Sequence, residues 1–76
     1  MTEQEIVEVL KRENDEFKKV YQEHKELDGL LTEMDRKHYL TPEEEFERKK
    51  MQKEKLLKKD KIAELVRGYK QHNSAN

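Results

Sequence analysis

The sequence predicts an all-α fold, an antiparallel hairpin of two long helices with coiled-coil character. Three observations predict it. The 76-residue chain is 46% charged, with 17 Lys plus Arg against 18 Asp plus Glu, and only 32% hydrophobic. Dense charge that nearly cancels, in a chain rich in Glu, Lys and Leu, is the profile of long helices. Apolar residues recur at alternating three- and four-residue steps from Ile6 to Met34, the pattern of one helix face seeking a partner. Thr41-Pro42-Glu43-Glu44 then marks a second helix start. The length allows one small domain, 1–76.

The first helical segment is expected over about residues 3–38. Its seam is Ile6, Leu10, Phe17, Val20, Leu27, Leu31 and Met34, with Glu13, His24 and His38 filling the remaining seam positions. Asn14 followed by Asp15 and Glu16 is a second N-cap signature. Either a separate short N-terminal helix ends there, or one helix kinks. Asp28-Gly29 could turn, but the spacing continues through it, so Gly29 reads as a helical glycine costing about 1 kcal/mol.

The boundary at Thr41 rests on four signals. Thr41 is an N-cap type, Pro42 suits the first helical position, and Glu44 stands where a capping box needs it. Glu43, Glu44, Glu45 and Glu47 place negative charge at the positive end of the helix dipole. Pro42 disfavours helical geometry at Thr41, so the first long helix should end near His38–Leu40, with the turn at 39–41. The second helix is expected over about 42–69, followed by a frayed tail at 70–76.

A short turn folds the two helices back on each other. With the turn centred near residue 40, position i should oppose roughly 80 − i. Met34 then faces Phe46, His24 faces Leu56 and Leu57, and Phe17 faces Ile62 and Ala63. Residues 1–38 carry 11 acids and 7 bases, net −4; residues 39–76 carry 7 acids and 10 bases, net +3. Glu23, Glu26, Asp28 and Glu33 should lie alongside Lys58, Lys55, Lys53 and Arg48. Exposed pairs of this kind contribute at most about 1 kcal/mol each, so their main effect is on register.

The apolar residues of the second helix form a wide arc over Ile62, Leu65, Val66 and Tyr69 rather than a stripe. That breadth implies contact with more than one helix: its own partner, plus either the Ile6–Leu10 segment or a second chain. Burial in a domain this small barely offsets chain entropy, and self-association would add burial. Ile6, Leu10, Phe17, Ile62, Leu65, Val66 and Tyr69 are therefore the candidate interaction residues, and a homodimer is the expected assembly.

Chemistry is sparsely represented. The chain has no Cys, no Gly-rich phosphate loop and no Ser/His/Asp order. Two thin helices enclose no cavity that could exclude water. No catalytic residue, cofactor or metal is expected. His24 lacks nearby co-ligands, since His38 lies about 21 Å away along a helix, so a packing role is expected of it. The run Arg48–Lys61 holds eight bases against Glu54 and Asp60, a net of +6 over 14 residues. Nucleic-acid contact is the alternative function it suggests, with Arg48, Lys55 and Lys59 sharing one side. The cations nonetheless point all around the helix, and the run contains no aromatic residue to stack on bases. No stretch of 18 apolar residues exists to span a bilayer, and an acidic polar face disfavours lying on an anionic one. The acidic start, Met1-Thr2-Glu3, has no signal-peptide character. A cytoplasmic location is the expectation.

Glu16-Phe17, His24, Leu27-Asp28, Lys53, Lys55-Leu56 and Lys59-Asp60-Lys61-Ile62 together resemble the YdcH-like family of small bacterial proteins, a domain of unknown function. The likeness spans about Leu10 to Tyr69. Asp15 departs from it, where many members carry Pro. The resemblance implies a cytoplasmic helical hairpin and no activity. The expected function is a non-enzymatic protein–protein interaction module acting through helix–helix contacts.

Overall fold

The computed structural model describes Thr2–Ser74 as three helices: α1 (Glu3–Glu13), α2 (Asp15–Asp35) and α3 (Pro42–Ser74). No strand occurs among the described residues. α2 and α3 form the antiparallel hairpin, and α1 packs against both. The fold is all-α, as the charge profile and spacing predict.

Each helix start is built from local chemistry. The Thr2 N–H donates to Glu5 Oε1 at 3.0 Å, and the Glu5 N–H donates back to Thr2 Oγ1 at 3.2 Å, a complete capping box. Asn14 serves two helices. Its backbone is extended (φ −121°, ψ 109°) and its N–H closes α1 on the Leu10 carbonyl at 2.9 Å. Its side-chain Oδ1 accepts from the Phe17 N–H at 3.0 Å and opens α2. The separate short N-terminal helix is therefore the form adopted. At α3, Thr41 and Glu44 exchange backbone-to-side-chain bonds of 3.1 Å each, as the motif requires.

The turn is longer than expected. α2 ends at Asp35, not near His38, because the N–H groups of Arg36 and Lys37 tighten onto the Glu33 and Met34 carbonyls in i→i−3 bonds. Residues 36–41 then make the reversal. At the other end α3 does not stop near Tyr69: helix continues through Lys70 to Ser74. Of the expected frayed tail, Ala75 and Asn76 lie outside the described residues.

The ion pairs between α2 and α3 set a register two residues from the expected one. Glu23 pairs with Lys58 at 3.2 Å, as expected. Lys55 pairs with Asp28 at 2.6 Å rather than with Glu26, and Arg48 with Asp35 at 3.0 Å rather than with Glu33. These numbers sum to 81, 83 and 83, so i opposes roughly 82 − i. Met34 consequently does not shelter Phe46. Opposite Phe46 the chain is already in the 36–41 turn, and the side chain is 68% exposed. Leu56 and Leu57, expected against His24, are also exposed.

The core gathers where all three helices meet. Ile6, Leu10, Phe17 and Val66 are buried, with Val7, Tyr21, Ile62, Leu65 and Tyr69 packed around them. Phe17 has 0% exposure and stacks on Tyr21 with ring centroids 5.9 Å apart. Nearer the turn, Leu31 is buried between α2 and α3. Gly29 sits on the outer side of α2 with an ordinary helical φ, and an added Cβ would meet nothing within 4 Å. Gly29→Ala should therefore raise stability by about 0.5–1 kcal/mol. A urea midpoint that fails to rise would contradict that reading.

Candidate functional site

The seven residues expected to bind a partner lie together, but they cover one another. Ile6, Leu10, Phe17 and Val66 form the buried core, and Ile62, Leu65 and Tyr69 are partly buried against it. Of the two occupants anticipated for the wide arc of α3, the Ile6–Leu10 segment is the one in place. α1 thus completes the core within a single chain.

Two of the three basic residues suggested for nucleic-acid contact face α2. Arg48 Nε donates to Asp35 Oδ1, and Lys55 Nζ lies against Asp28 Oδ1. Lys59 is exposed and forms no ion pair among the described residues. Arg48 and Lys55 therefore point toward α2, where each is paired with a carboxylate.

His24 is half-buried on the inner side of α2, and its Nε2 is buried without a hydrogen-bond partner. No group of three or more potential ligands capable of holding a metal occurs among the described residues.

Three carboxylates are held below their ordinary range. Lys55 donates to Asp28 and attracts it electrostatically; Lys37 and the Thr41 backbone do the same for Glu44; the Thr2 backbone and hydroxyl do so for Glu5. A depressed folded-state value stabilises the fold above the ordinary carboxylate range, and that contribution disappears as protons bind below it. The melting temperature should be level from neutral pH to about pH 5 and should fall toward pH 3. A melting temperature that rises on acidification would contradict the assignment of these partners.

The apolar surface left open lies mainly on α3. Phe46 is 68% exposed, Leu57 64% and Leu56 51%. Phe46 and Leu57 are eleven residues apart, three helical turns, and so share a face. That face is opposite the one carrying Arg48, Lys55, Ile62 and Val66 toward α2 and α1. Lys50 and Lys53 stand between Phe46 and Leu57, both exposed and outside every ion pair found among the described residues. Sequence reasoning missed this face because it set Phe46 and Leu57 inside the hairpin. The four-, three- and four-residue steps Phe46, Lys50, Lys53, Leu57 were the available signal.

Comparison with known proteins brings no match: no family model, no curated protein and no solved structure matches the chain. No described helix is long and apolar enough to cross a membrane.

Proposed function

We propose that the protein is a non-enzymatic, cytoplasmic interaction module that binds other proteins through helix–helix contacts, and that the binding face is the outer side of α3. The observation that carries this reading is the exposure of Phe46, Leu56 and Leu57 on a helix whose opposite side already closes a complete core. Exposed large apolar groups on one element mark a contact surface more readily than a solvated one. The residue likenesses to the YdcH-like family accord with a small helical module and add no activity.

The test compares capture of cytosolic proteins by the native chain and by Leu57→Asp. A protein retained by the native chain and lost with the variant supports the reading. Capture that is indifferent to the substitution removes the outer face of α3 as the binding surface. Nucleic-acid association is the lesser reading, supported only by the outward lysines. It predicts affinity for RNA or DNA that falls steeply with salt as counterions are released. We expect no such dependence between low and physiological salt.

A further inference from the structure

The exposed apolar residues of α3 are interleaved with cations. Phe46, Lys50, Lys53 and Leu57 follow one another at steps of 4, 3 and 4, the spacing of a coiled-coil seam. At 3.6 residues per turn, Lys50 and Lys53 lie within about 30° of the mean direction of Phe46 and Leu57. Lys49 stands on one edge of this strip, and Glu47 and Glu54 on the other. All of these side chains are exposed, and none of the three lysines belongs to an ion pair found among the described residues. The inner side of the same helix shows how such cations are satisfied. Arg48, Lys55 and Lys58 each meet a carboxylate of α2, on Asp35, Asp28 and Glu23.

Resting on the reading of the outer side of α3 as the binding face, we propose that its occupant is an amphipathic helix of a partner protein with acidic residues set into its apolar seam. The partner repeats the chemistry of α2 on the opposite side of α3. Its carboxylates lie over Lys50 and Lys53, and its apolar side chains over Phe46 and Leu57.

Charge and spacing together define this occupant. A lysine at a seam position favours a carboxylate across from it and disfavours an apolar group or a cation, so it fixes partner and register. Phe46 and Leu57 stand about 16.5 Å apart along the helix axis, and the partner's apolar groups need the same separation. The edge carrying Lys49 takes a further acid, and the edge carrying Glu47 and Glu54 takes bases. A uniform polyanion does not fit this pattern. Nucleic acid or an anionic bilayer would set negative charge against Glu47 and Glu54 as well as against the lysines.

Fluorescence anisotropy with two synthetic helical peptides tests the proposal. Each has about 21 residues, three heptads, with a leucine seam. One carries glutamate at two central seam positions, and the other carries lysine there. Like charges in the seam keep either peptide from pairing with itself. Titrated from about 1 μM to about 1 mM, the full chain should bind the glutamate peptide with a dissociation constant on the order of 100 μM, as suits a small interface. The lysine peptide should bind at least about tenfold more weakly. Lys50→Glu with Lys53→Glu should reverse that preference while the helical circular dichroism stays unchanged. Lys50→Gln with Lys53→Gln should remove it without reversal. Binding of neither peptide overturns the proposal, as does a preference unmoved by these substitutions. Tighter binding of a duplex oligonucleotide, or of vesicles rich in phosphatidylserine, than of the glutamate peptide also overturns it. Equal binding of both peptides that is lost on Leu57→Asp refutes the acidic partner alone and leaves the outer face of α3 as an interaction surface. Capture of cytosolic proteins that ignores Leu57→Asp removes both readings.

Discussion

Phe17→Ala should unfold most molecules at 25 °C. Phe17 is the one fully buried large side chain among the described residues, and α1, α2 and α3 all contribute to its surroundings. Truncating a buried phenylalanine costs about 3–5 kcal/mol, through lost transfer energy and the cavity left behind. A chain of 76 residues has a total stability on the order of 4–11 kcal/mol, and this one has a thin core. The Asn14 cap accepts the backbone N–H of residue 17, which alanine keeps, so the loss falls on packing alone. Far-ultraviolet circular dichroism with a urea titration reads the result. A midpoint shift worth less than about 1 kcal/mol would mean that the three helices do not converge on Phe17.

Val66→Asp should be at least as damaging, and its contrast with Leu57→Asp separates the two sides of α3. Val66 is 3% exposed against Ile6, Leu10 and Phe17, with no cation in that cluster. An aspartate there must bury an unpaired charge or take up a proton, a loss of more than about 4 kcal/mol. The chain should be unfolded at neutral pH. At Leu57, 64% exposed, the same aspartate should change stability by less than about 1 kcal/mol. Thermal melts of the two variants side by side provide the check. Similar melting of both would mean that α3 has no inner and outer face.

Much of the architecture was legible because it is specified locally. The capping box at Thr41–Glu44 and the Asn14 cap are written in adjacent residues, and both stand as read, with Asn14 producing a full break. The end of α2 was not legible. No glycine or asparagine follows Asp35 to stop the helix, and its end is set by how residues 36–41 reach across to α3. The inward face of α3 was misassigned as well: Arg48, Lys55, Ile62 and Val66 turn toward α2 and α1, which leaves Phe46 and Leu57 outside. The candidate interaction residues converge on one another in the core. Whether their partner was α1 or another molecule depended on the angle at which α1 returns, and no local signal encodes that angle.

The slender outline of the hairpin has a hydrodynamic consequence. The molecule measures 54 × 20 × 16 Å, with a Cα radius of gyration of 15.5 Å. A compact chain of this length would have a radius near 11 Å, and a spherical protein would need roughly 170 residues to reach 15.5 Å. One molecule should therefore leave a gel-filtration column where a globule of about twice its mass leaves. Mass measured independently of shape is the quantity that distinguishes one rod from two.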